Sequence, residues 1–149
     1  NSTSGQKVSF IPRPECEALT SRCNLKWATS MRLLISWGQT IRVVVVKQGN
    51  ETGLFYGEIQ RHIRCPGTLC GLAPISDQNI VALAADAHGF TLQLCGRSAT
   101  EKQRAAIFYK EVLDLPRALN VDTVHLLSAG QNLPMYVATP IELVAFQVR

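Results

Sequence analysis

The sequence predicts a mainly β fold of the α+β kind: an antiparallel barrel or strongly curved sheet of about eight strands with one α-helix, about 99–115, packed outside. Three observations predict it. Residues 43–46 are four consecutive valines, stiff at χ1 and suited to a pleated surface. Two β-rich runs flank Asp86-Ala87-His88-Gly89, a glycine-containing turn that reads as a hairpin. Ser98 with Glu101 and Thr100 with Gln103 are overlapping capping boxes, followed by Ala105, Phe108, Val112 and Leu115 at helical spacing and a stop at Pro116.

Length and composition agree with one domain. The chain has 149 residues, 46% hydrophobic and 17% charged, ordinary values for a globular protein with a real core. Its formal charge is +4, without a block of like charges, which argues for a solvated surface and against nucleic acid as partner. No run approaches the roughly 18 apolar residues of a membrane-spanning helix. The start at Asn1, without methionine, suits a processed mature chain or an excised one.

In chain order, residues 1–26 read as an irregular arm, with Pro12 and Pro14 around Arg13, and 27–149 as the β-rich body. Residues 27–47 hold two apolar runs broken at Gly38-Gln39. After the turn Gly49-Asn50-Glu51-Thr52-Gly53, Phe55, Ile59 and Ile63 fall on one side of a strand and Tyr56, Glu58, Gln60 and His62 on the other. The short turn predicts that these two strands pair antiparallel. Residues 64–78 read as a turn-rich connection. Residues 123–127 are strand-like, Gly130-Gln131-Asn132 is a turn, and 135–148 is β-rich but broken by Pro140, with buried faces on both sides or a bulge.

The cysteines and sequons point to secretion. Cys16 and Cys23 are close enough to close a small loop, with a longer bridge from either to Cys95 as the alternative, and Cys65 and Cys70 around Pro66-Gly67 are expected to form a local disulfide, with free buried thiols as the alternative. Asn1-Ser2-Thr3 and Asn50-Glu51-Thr52 are glycan acceptors in a secreted chain, giving Asn1 and Asn50 as glycosylation sites. A metal reading of His62, Cys65 and Cys70 lacks a fourth ligand, and no metal or other cofactor is expected. Cys95, His88 and Asp86 are the one sequence-local set resembling a nucleophile, base and orienting acid. None sits in a recognised nucleophile context, and no catalytic residue is assigned.

Ser76-Asp77-Gln78-Asn79-Ile80-Val81-Ala82-Leu83 matches a Thr-Asp-Tyr-x-x-Tyr-Ala-Leu pattern at its Asp and Ala-Leu, and Leu94-Cys95-Gly96-Arg97-Ser98 matches Leu-Tyr-Gly-Arg-Thr/Ser. These pieces, with the following helix signal and Val124-His125-Leu126, resemble the second half of a lipocalin, the secreted eight-stranded barrel with an outer helix. Leu25-Lys26-Trp27 stands where that family has Gly-x-Trp, with Leu in place of Gly. The resemblance implies that Arg97 stacks on Trp27 as a structural cation–π pair.

The expected function is therefore a secreted, non-enzymatic binding protein that carries a small hydrophobic ligand in a barrel cavity, with Trp37, Phe55, Tyr56 and Ile59 as the ligand-lining candidates. The alternatives are a secreted interaction module with an extracellular protein partner, and a secreted hydrolase or toxin-like enzyme.

Overall fold

The computed structural model describes residues 10–18, 21–76, 79–97, 105–116, 118–128 and 133–147. Eleven strands form three antiparallel sheets, and no α-helix occurs among the described residues. The first sheet contains β1 (Cys23–Thr29), β2 (Arg32–Trp37), β3 (Thr40–Gln48) and β4 (Phe55–Arg64). The second contains β5 (Thr68–Pro74), β6 (Ile80–Asp86), β7 (Gly89–Arg97) and β8 (Ala105–Val112). The third contains β9 (His125–Ser128), β10 (Met135–Ala138) and β11 (Leu143–Phe146), entered through a 3₁₀ turn at Val121–Thr123.

Every sheet is a simple meander in which each strand pairs with its sequence neighbour. Short turns make this possible. Gly38, at φ +56°, turns β2 into β3 with Trp37 opposite Thr40. Gly89, at φ +123°, closes the expected β6–β7 hairpin, where the Asp86 carboxylate accepts the His88 amide at 2.7 Å. The antiparallel pairing expected across the turn at residues 49–53 is also present, as β3 with β4.

The sheets stack face to face. Leu34, Ile41, Val43 and Ile63 of the first pack on Leu69, Leu72, Ile80, Ala82 and Ala84 of the second. The opposite face of the second sheet, with Ala73, Val81, Leu83, Phe90 and Leu92, packs on Val124, Leu126, Met135 and Val137. Alternation along β6 and β7 thus feeds two cores at once. The middle sheet is buried on both faces, which explains its near-continuous apolar runs.

Two expectations about architecture are corrected. The strands do not close into a barrel, because three meanders lie against one another as separate layers. In place of a helix over 99–115 the chain forms β8, whose backbone pairs with β7 from Thr91 opposite Val112 to Arg97 opposite Ala105. Ile107, Phe108, Tyr109 and Val112 are β-favouring residues, and a partner strand outweighs a sparse helical spacing. The capping-box residues 98–103 lie outside the described residues. β1 begins at Cys23, within the segment expected to be irregular, and β5 occupies much of the expected turn-rich connection.

The arm lies on the first sheet. The Glu17 carboxylate accepts the Gln39 amide at 3.0 Å and the Thr40 hydroxyl at 2.9 Å. Arg42 donates to the Pro12 carbonyl, and Ile11 packs at the position a Cβ on Gly57 would approach.

Candidate functional site

The first strands of the three sheets converge. Each of β1, β5 and β9 is a terminal strand of its own sheet, and β5 lies between the other two, touching both. Gly71 makes the closest approach possible: a Cβ there would stand 2.7 Å from the Leu126 Cβ and 3.2 Å from its backbone nitrogen. Asn24 ties β1 to β5 by donating to the Leu69 carbonyl at 3.2 Å and to the Ser36 hydroxyl at 3.1 Å.

Between these strands lies an open groove of about 440 Å³. Its walls include Arg22 to Lys26 from β1 and the residue before it, Cys70 to Leu72 from β5, and His125 to Leu127 from β9. Consecutive residues line it, so strand edges as well as side chains face the opening. Among its lining residues the basic side chains are Arg22, Lys26 and His125, with no Asp or Glu. Arg22 Nη1 stands 3.9 Å from Asp122 Oδ1, whose side chain is largely exposed, and this nitrogen is buried without a hydrogen-bond partner.

Burial weakens the groove's thiols as nucleophiles at neutral pH. Burial pushes the Cys70 thiol up to about 11, opposed by Arg22 and reinforced by Asp122, and burial also raises Cys23. What the groove offers is a binding surface: strand edges, two fixed positive charges, an imidazole and the exposed apolar side chains of Leu25 and Leu127.

The residues singled out from sequence lie elsewhere. Trp37 is half-buried on β2, with the Arg42 guanidinium 6.0 Å from its ring centre. Phe55 and Tyr56 are exposed at the start of β4, and Ile59 is half-buried further along it. None of the four lines the groove. Trp27 is exposed on β1 opposite Leu33, and the side chain of Arg97 lies outside the described residues. Cys95 is separated from Asp86 and His88 by the length of β7, roughly 20 Å at strand rise. Asn50 sits in an exposed turn, and Asn1 lies outside the described residues.

All five cysteines are free thiols, so the bridges expected between Cys16 and Cys23 and between Cys65 and Cys70 are not formed. Cys65 faces Cys95 across the core, with the sulfurs 3.5 Å apart, while the Cys70 thiol donates to the Thr68 carbonyl. The hydrogen bond with Cys95, reinforced by burial, pushes the Cys65 thiol up, keeping it protonated.

Arg22, Lys26, Gly71 and His125 were not candidates from sequence. They belong to three different sheets, and the available signal was indirect: Asn24, Lys26 and Ala28 alternate against Cys23, Leu25 and Trp27.

A comparison with curated proteins adds to this geometry. Over 86 residues the chain is 30% identical to the mouse vacuolar protein sorting-associated protein 41 homolog, covering 53% of this chain and 10% of that protein. The chain is similar to part of a vacuolar protein sorting protein. The human protein of the same name is 28% identical over 85 residues, covering 52% of this chain. This chain spans about a tenth of the length of these relatives. No protein-family model matches, and no solved structure does. The vacuolar-sorting similarity overturns the expectation of a secreted, disulfide-bonded glycoprotein, which rested on two short sequons and on cysteine spacing. Among the described residues no helix is long and apolar enough to cross a membrane.

Proposed function

We propose that this chain is a sector of a β-propeller-type scaffold and acts as a non-enzymatic protein-interaction module in vacuolar protein sorting. One observation carries the reading: three successive meander sheets stack face to face with their first strands gathered at one groove. That is how propeller blades are arranged around a central channel, each blade a small antiparallel sheet with its inner strand at the axis. The partial similarity to the vacuolar sorting proteins supplies the cellular context.

The outward faces agree with such a scaffold. Trp27 on the first sheet and Leu143 on the third are exposed apolar residues on faces that further sheets would cover. A chimaera of the mouse homolog tests the proposal, with the matched segment replaced by the corresponding residues of this chain. It should restore delivery of vacuolar cargo in cells lacking the homolog. A chimaera that is folded and abundant yet leaves cargo missorted would refute the assignment.

A further inference from the structure

We infer that the groove between β1, β5 and β9 binds an extended acidic peptide segment of a partner protein, with apolar residues beside the acids. This rests on the reading of the chain as an interaction module and names what its groove selects.

Charge is the first argument. Arg22, Lys26 and His125 line the groove and, among the described residues, no carboxylate does, so its wall carries two fixed positive charges. Asp122, outside the lining, meets Arg22 at 3.9 Å through a largely exposed carboxylate, a contact too long for a hydrogen bond and weakened by solvent. Arg22 Nη1 is left buried and without a hydrogen-bond partner. An unsatisfied buried guanidinium nitrogen is costly, and an incoming carboxylate supplies its missing acceptor once the side chain adjusts toward the opening.

Backbone is the second argument. β1, β5 and β9 each end their own sheet, so one edge of each has amides and carbonyls outside its sheet's ladder. An extended peptide is the ligand shape that meets a strand edge, forming main-chain hydrogen bonds while alternate side chains enter the walls. Leu25 and Leu127 line the same opening and are 63% and 51% exposed, so apolar side chains beside the acids find matching surface. The groove is partly open and not an enclosed cavity, which suits a chain segment better than a small enclosed ligand.

The test is fluorescence anisotropy on the full chain with a fluorescein-labelled decapeptide of alternating Glu and Leu, beside its Gln-Leu and Lys-Leu counterparts. The Glu-Leu peptide should bind, and the Gln-Leu peptide about tenfold more weakly, with the difference shrinking as NaCl is raised. Lys26→Glu should weaken the Glu-Leu peptide by about tenfold, whereas Lys110→Glu, at an exposed site on β8, should not. Circular dichroism confirms that both variants keep their strands, and Lys26→Gln provides a milder second variant.

Equal affinity for the Glu-Leu and Gln-Leu peptides, with both lost in Leu25→Asp, overturns the acidic assignment and leaves the interaction module standing. Equal effects of Lys26→Glu and Lys110→Glu, or no binding by any peptide, overturn the groove as a peptide site. Capture by phosphatidylserine vesicles, lost in Lys26→Glu while the peptides stay unbound, assigns the charge to a membrane surface and overturns the peptide as occupant.

Discussion

Replacing Gly71 with alanine probes the convergence of the inner strands directly. The added methyl would stand 2.7 Å from the Leu126 Cβ and 3.2 Å from the Leu126 nitrogen, against about 3.5–4.0 Å for relaxed carbon contacts. One of these neighbours is backbone, so a rotamer change cannot relieve the clash and β5 must move away from β9. Overpacking of this kind costs about 1–3 kcal/mol, and for a domain of this size lowers the melting temperature by about 2–4 °C per kcal/mol. Thermal melts followed by far-ultraviolet circular dichroism should show a loss of about 5 °C. Leu126→Ala keeps the offending Cβ, so Gly71→Ala should cost as much in that background; Leu126→Gly should recover part of the loss. A Gly71→Ala protein melting within about 1 °C of the parent would refute the close approach of the two strands, and with it the geometry of the groove.

Other predictions follow from the same structure. Glu17→Ala removes the acceptor of two hydrogen bonds at the β2–β3 turn and should cost about 2 kcal/mol in urea unfolding, with Glu17→Gln recovering part of it. A thiol reagent should modify the exposed Cys16 and Cys23 in the native protein, Cys23 the more slowly, and reach Cys65, Cys70 and Cys95 only on unfolding; native-state labelling of Cys65 or Cys95 would contradict their burial. Cys70 should make stability fall as pH rises from about 9 to about 11. The folded thiol holds its proton to about 11 against 9.0 ordinarily, so the unfolded chain releases it first, and Cys70→Ala should flatten this slope in alkaline unfolding curves.

Local chemistry was legible where a turn residue met a clear alternation. Asp86 to Gly89 and the glycines around Asn50 marked real hairpins, since φ-permissive residues between β-rich runs leave the backbone few other options. The β8 segment carries a misleading signal, because Ala105, Phe108 and Val112 fit a helical stripe while the β7 edge that pairs with it is a tertiary partner invisible to spacing. β5 was obscured by Gly71 and Pro74, which punctuate a sequence locally yet here sit within a strand. Arrangement was less legible still. Alternation says which residues share a face, but not whether neighbouring meanders close into one barrel or stack as separate layers. Cys65 lies near Cys70 in sequence and faces Cys95 in space, and Arg22, Lys26 and His125 line one groove only because the first and third sheets both lie against β5.

The middle sheet is read from both sides. Ile80, Ala82 and Ala84 fill the core toward the first sheet, and Val81, Leu83 and Phe90 fill the other, with small alanines on one side and a phenylalanine on the opposite one. Inserting a single residue within β6 would therefore exchange the contents of two cores together, sending alanines where leucine and valine belong and the larger side chains into the tighter space. The β6–β7 turn at Ala87 and His88 is exposed and has no such double duty. Length changes over generations should accumulate at that turn, while β6 itself keeps its residue count.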